Sequence, residues 1–141
     1  MRYLGLDYGS RTVGVSITDE LGITVQNLET ITRREEKKLR STISRLREIT
    51  AEYQVAEIVL GLPLNMDGTE GERAEWTRAF KELLEKKLSL PVHLISEQLT
   101  TVEADEVLEV SGVPKRDRKK VIDQIAANLI LQDYLRNVKH K

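Results

Sequence analysis

Residues 56–62, Ala-Glu-Ile-Val-Leu-Gly-Leu, restrict what this chain can become more than any other stretch. A nearly continuous apolar run of that length reads as a strand buried on both faces. Such a strand lies inside a sheet and needs helices over it, and its flanks supply them. Before it, Leu39, Ile43, Leu46, Ile49 and Tyr53 recur at helical spacing, and Thr32-x-x-Glu35 predicts a capping box at that helix's start. After it comes a Pro-Asn-Gly loop, then a second capping box, Thr69-x-x-Glu72. Ala74, Phe80, Leu83, Leu84 and Leu88 form the inward face of the helix that follows. Residues 91–95, Pro-Val-His-Leu-Ile, predict a further strand. Strand–helix–strand crossovers are right-handed, which sets these two strands parallel in one sheet.

The opening third has a different period. Residues 2–8 and 12–18 read as strands joined through the tight turn Gly9-Ser10-Arg11, a β-hairpin. A turn at Asp19-Glu20-Leu21-Gly22 leads to a third strand near 23–31, completing an antiparallel meander. Toward the other end, Thr100-x-x-Glu103 predicts a short helix ending near Gly112. Pro114 breaks the chain before a last helix over roughly 117–138, carrying Val121, Ile122, Ile125, Leu129 and Leu135. The order β-β-β-α-β-α-β-α-α, without linker or repeat, predicts a single α/β domain over residues 1–141.

Composition excludes several chemistries. The absence of cysteine removes disulfides, thiolate metal sites and cysteine nucleophiles. The chain is 40% hydrophobic and 32% charged, as soluble globular proteins are. No apolar run approaches the roughly 20 residues that span a bilayer. With no signal peptide ahead of the first strand, the expected address is the cytoplasm, with no membrane partner. A net charge of −1 argues against strong non-specific polyanion binding, yet cations are clustered. Arg33, Arg34, Lys37, Lys38, Arg40, Arg45 and Arg47 crowd the first predicted helix, where interleaved acids suggest a solvated face. Lys115, Arg116, Arg118, Lys119 and Lys120 enclose only Asp117, so an anion contact there weighs equally with a solvated face.

Sites in open α/β sheets form outside the carboxyl ends of strands. Asp7 directly follows Tyr-Leu-Gly-Leu, where an aspartate must leave the core or find a partner. Its bland reading is a turn cap. Glu97 ends the last strand in the same way, or is a surface carboxylate. Asp123 lies in the first turns of the final helix, followed by Ala126 and Ala127, small residues that let a helix approach a sheet closely; the rival is a surface pair with Lys119 or Lys120. Three carboxylates form a hard oxygen-donor set suited to Mg²⁺ or Mn²⁺. Two such ions about 4 Å apart activate water and stabilise a leaving oxygen in phosphodiester hydrolysis. His93 reads as a structural strand residue and Trp76 as packing.

Four ordered blocks resemble the YqgF family of bacterial nucleases. They are LGLDYGSRTVGV at 4–15, VLGLPLNMDGTEG at 59–71, Glu97 with Leu99-Thr100-Thr101, and Asp123 with Ala126-Ala127. The family is related to Holliday-junction resolvases and associated with maturing the 5′ end of precursor 16S ribosomal RNA. The resemblance implies a ribonuclease H-like five-stranded mixed sheet of order 3-2-1-4-5, strand 2 antiparallel, flanked by helices. It implies Asp7, Glu97 and Asp123 as catalytic, metal-holding acids, with Gly9, Ser10, Arg11, Asn65, Thr100 and Thr101 on the substrate side; Lys119 and Lys120 join these as anion contacts. One departure stands out: the family's usual Asp-Glu-Arg is Ser96-Glu97-Gln98 here, losing a candidate phosphate clamp.

The resemblance thus implies a metal-dependent hydrolase with a nucleic-acid partner, RNA in a ribosomal precursor ahead of DNA. Alternatives remain open. A resolvase of four-way DNA needs a two-fold dimer, and monomer or homodimer is undecided from sequence. A binding module could keep the fold without the chemistry. Asp-x-Gly before a hairpin also resembles the phosphate loop of actin-like ATPases, which need two such domains.

Overall fold

The computed structural model describes residues 1–97, Gly112, Pro114 and 118–139, the side chains of Glu97, Lys119, Lys120, Val138 and Lys139 excepted. The helix expected between Thr100 and Gly112 lies outside the described residues. The elements run β1 (Arg2–Tyr8), β2 (Thr12–Thr18), β3 (Val25–Thr32), α1 (Arg40–Glu52), β4 (Val55–Pro63), α2 (Glu72–Leu88), β5 (Val92–Glu97) and α3 (Arg118–Tyr134). α3 continues as a π-helical segment over Leu135–Lys139.

The five strands form one sheet of order β3-β2-β1-β4-β5. β1 pairs antiparallel with β2 and parallel with β4; β2–β3 is antiparallel and β4–β5 parallel. This is the mixed sheet anticipated above. β4 is an interior strand between β1 and β5, and Ile58, Val59 and Leu60 are fully buried because both faces are covered. On one face Leu4, Leu6, Tyr8, Val13, Val15 and Ile17 meet Ile43, Leu46 and Ile49 of α1 and Phe80 and Leu84 of α2. On the other, Tyr3 and Val59 meet Ile130, Leu131, Tyr134 and Leu135.

The second face is built for close approach. Strand alternation puts Gly5, Gly14 and Ser16 under α3. A Cβ on Gly5 would lie 2.9 Å from the Ala127 carbonyl oxygen, and one on Gly14 would overlap the carbonyl of Asp123. The buried Ser16 hydroxyl donates to the Ala127 carbonyl at 2.7 Å, and the Gln124 amide donates to Thr30 Oγ1 at 3.1 Å. Small residues on both partners therefore set the helix almost on the backbone of β2.

Three local expectations are corrected. α1 begins at Arg40 with Leu39 as an N-cap that makes no side-chain cap bond, eight residues beyond Thr32. Thr32 instead pairs with Thr12 as the last residue of β3, and Arg33 donates its backbone N–H to the Arg11 carbonyl at 2.8 Å, so the ladder runs on where the capping box would start. α2 is capped at Gly71, again without a side-chain bond. Thr69 is occupied otherwise: its hydroxyl donates to Asp67 Oδ1 at 2.6 Å and accepts from the Asn65 amide at 3.0 Å. In α3 the buried stripe is Ala126, Ala127, Ile130, Leu131, Tyr134 and Leu135, whereas Leu129 is 38% exposed. Ala127 takes the inward face where its carbonyl lies over Gly5 and accepts from Ser16, an approach that a small side chain permits.

Candidate active site

Asp7 is the penultimate residue of β1, half-buried, and pairs directly with Gly14 of β2. Tyr3 and Gly5 face α3, as their contacts with Tyr134 and Ala127 establish, so alternation turns Asp7 to the same side. Asp123, in the second turn of α3, lays its carbonyl against Gly14, and its Oδ2 is buried. One glycine is thus the common neighbour of both aspartates. A side chain there would separate them.

Glu97 is the last residue of β5, in register with Pro63. It shares the parity of Ile95, which packs with the α3-side cluster, so its position belongs to the face that carries Asp7. β4 intervenes, which sets the two backbones about 10 Å apart, two strand spacings. Gly61, in register with Ile95, adds no side chain between them. Among the residues with described side chains, no group of three or more acids or imidazoles converges closely enough to hold an ion. Ser96, in register with Leu62, lies on the opposite face from the Glu97 position. Gln98, Thr100 and Thr101 are outside the described residues, and Lys119 and Lys120 are placed only as backbone in the first turn of α3.

The β1–β2 turn divides its predicted contacts. Gly9 donates its N–H to Thr12 at 2.7 Å, and its carbonyl accepts from Arg33 Nη2 at 2.6 Å, so both backbone groups serve the turn. Ser10 and Arg11 are exposed at its tip. Asn65, exposed after β4, ties its loop together through Thr69 and sits 3.1 Å from where a Cβ on Gly71 would be. His93 is structural, with Nε2 3.3 Å from Glu57 and its ring stacked on Tyr134 at 5.4 Å. Trp76 packs against the larger core.

The sequence did not reveal the support beneath this edge. The Tyr8 ring stacks on Phe80 at 4.2 Å, with the Arg33 guanidinium 4.9 Å and the Arg73 guanidinium 5.7 Å from its centroid. Arg73 also donates to the Tyr8 carbonyl at 3.3 Å and pairs with Glu36. Burial pushes the Tyr8 hydroxyl above its ordinary value, against the opposing pull of Arg33 and Arg73. Arg33, read above as part of a solvated helical face, is 93% buried outside any helix. Its position straight after β3, the last strand of the meander, was the one available signal.

Comparison with known proteins gives a consistent picture. A family model described as RuvX: Holliday junction resolvase matches residues 1–137. A Lachnospira eligens protein carrying the provisional name pre-16S rRNA nuclease is 56% identical over 135 residues, covering 96% of each chain. A Geobacillus protein of the same provisional name is 50% identical, covering 96% of this chain and 97% of its own. Among solved structures, Thermus thermophilus RuvC in complex with a Holliday junction substrate aligns over 96% of this chain and 95% of its own, with a TM-score of 0.54 at 15% identity. The fowlpox virus Holliday junction resolvase aligns over 98% and 99%, with a TM-score of 0.51 at 14% identity. At such identities the likeness is one of fold, that of ribonuclease H-like resolvases.

Proposed function

We propose, for a chain that belongs to the RuvX family, hydrolysis of phosphodiester bonds in the 5′ region of precursor 16S ribosomal RNA, at the sheet edge holding Asp7, Asp123 and the Glu97 position. The observation that carries the site is Gly14, in register with Asp7 and in contact with the Asp123 backbone. Relatives at 50–56% identity over nearly the whole chain, with their shared provisional name, carry the substrate.

The residues fit divalent ions. The donors are all carboxylate oxygens, Asp123 Oδ2 is buried, and a hard cation is the natural partner for acids held there. Mg²⁺ or Mn²⁺, two ions when both sites fill, would be held by Asp7, Asp123 and Glu97 and would supply an activated water and a stabilised leaving oxygen. The chain does the positioning. Asp7 is fixed by the β1–β2 ladder, and Asp123 by α3 through the Ser16–Ala127 bond. Ser10 and Arg11 stand exposed at the adjoining turn, where Arg11 offers a fork to a phosphate.

Two other readings are separable. Junction resolution, which the family description names, requires a two-fold dimer. A non-catalytic binding module draws its support from the Ser96-Glu97-Gln98 segment, but Ser96 lies on the face away from Asp7. One experiment distinguishes all three: purified protein is given precursor rRNA ends and a four-way DNA junction in parallel, with Mg²⁺ or Mn²⁺. Cleavage of the RNA, abolished in each of Asp7→Asn, Glu97→Gln and Asp123→Asn, is the expected result. Undiminished cleavage by the three variants would refute the site, and junction cleavage without RNA cleavage would refute the substrate.

A further inference from the structure

The basic cluster at 33–47 acquires a use once its members are separated. Arg33 is buried beneath the hairpin, Arg45 is committed to Glu29 and Glu48, and Arg47 donates to the Lys87 carbonyl at 3.0 Å. Arg34, Lys37, Lys38 and Arg40 stay exposed. Lys38 meets Glu35 at 3.6 Å, a contact between two exposed side chains that contributes little. Arg34, Lys37 and Arg40 form no ion pair among the described residues. Arg34 and Lys38 line an open cleft of about 520 Å³ together with Thr32 and Ser41, so its walls are cations and hydroxyls.

The loop bearing these cations is firmly placed. Arg33 fastens one end to the Gly9 carbonyl at 2.6 Å, and Glu36 fastens the middle to Arg73 of α2. It leaves the sheet beside Arg11, at the turn whose other strand ends in Asp7 and Tyr8. The cations therefore adjoin the β1–β2 turn on the α1 side of the sheet, and the cleft of Arg34 and Lys38 shares Lys38 and Ser41 with a second open cleft that Lys37 and Arg40 also line. Two adjoining clefts walled by cations and hydroxyls suit the successive phosphates of one flexible strand.

We propose that Arg34, Lys37 and Lys38, continuing from Arg11, form a backbone track that holds single-stranded RNA on the β3 side of the cut. The track rests on the nuclease reading for its purpose. Its affinity is electrostatic and independent of sequence, because the contacts are to phosphates. With a chain net charge of only −1, binding depends on local cation clusters such as this one instead of being spread over the surface.

The test measures binding without cleavage. A labelled single-stranded RNA oligonucleotide is titrated with protein in EDTA at several salt concentrations. Each phosphate contact to a single strand contributes about 0.7 to the slope of log K against log salt. The Arg34→Ala/Lys37→Ala/Lys38→Ala protein should lose about 2 from that slope relative to the parent. Arg34→Lys, which keeps the charge, should retain the parent slope. Lys86→Ala/Lys87→Ala, at the far end of α2, should also leave the slope unchanged and so controls for total charge. The track is refuted by an unchanged slope in the triple variant, by an equal loss in the α2 variant, or by no RNA binding in the parent. Since EDTA removes any dependence on the chemistry, a failed cleavage assay and a failed track are separate results.

Discussion

Replacing Gly14 with alanine adds one methyl group where the carbonyl of Asp123 already lies. A carbon keeps about 3.3 Å from a carbonyl oxygen, and the added Cβ would fall far inside that limit. Neither neighbour can yield cheaply: one is the central part of the β2 backbone, the other the backbone of α3. The start of α3 must therefore retreat by about 1 Å or more. Overpacking of this kind costs about 1–3 kcal/mol. At about 3 °C per kcal/mol for a chain of this size, Tm should fall by roughly 3–9 °C. Activity should fall further than stability accounts for. Asp7 stays on β1 while Asp123 moves with the helix, and a misplacement of about 1 Å in a catalytic constellation costs on the order of 100-fold in rate. Differential scanning fluorimetry gives the first quantity. Single-turnover cleavage of precursor RNA, well below the variant's Tm, gives the second. A Gly14→Ala protein with parental Tm and parental rate would refute the claim that this glycine sets the distance between the aspartates. A lower Tm with an unchanged rate would sever the helix position from the chemistry.

Two further outcomes are expected. Lys119→Ala/Lys120→Ala should weaken substrate binding and flatten its salt dependence, and an unchanged slope would return that cluster to a solvated role. Asp19 accepts from the Ile23 N–H and the Thr24 hydroxyl, both at 2.9 Å, and these bonds hold its carboxyl below the ordinary range. A depressed native value means stabilisation that is complete above the unfolded value of about 3.9 and lost as pH falls through the native one. Thermal unfolding of Asp19→Ala should therefore trail the parent at neutral pH and converge with it in acid; a gap that persists in acid would contradict this assignment.

What could be read from the residues was what local periodicity controls. The apolar run at 56–62 announced a strand buried on both faces, and the alternation on either side of Gly9-Ser10-Arg11 announced the hairpin. Asp7 was legible because a charge at the end of an apolar strand is locally anomalous. Arg33 was not, because its burial depends on the Gly9 carbonyl, 24 residues away in sequence. A capping pattern four residues long cannot register that competition, and so α1 was expected too early. The inward face of α3 was obscured for a related reason. Alanine carries little apolar weight, and the value of Ala126 and Ala127 lies in the glycines and serine that they meet. The closeness of Asp123 to Asp7 was therefore foreshadowed by small residues on the helix but specified by Gly14 on the strand.

The bond from Ser16 to Ala127 spans 111 positions of the chain. Protein synthesis proceeds at about 5–20 residues per second, so a ribosome finishes the first half of this contact several seconds before the second half exists. During that interval Asp7 has no Asp123 beside it. A nascent chain thus carries only part of the proposed acid set while still attached to a ribosome, a particle made of the class of RNA the finished protein is proposed to cut. In the proposed site, it is the synthesis of α3 that brings the second aspartate to the first.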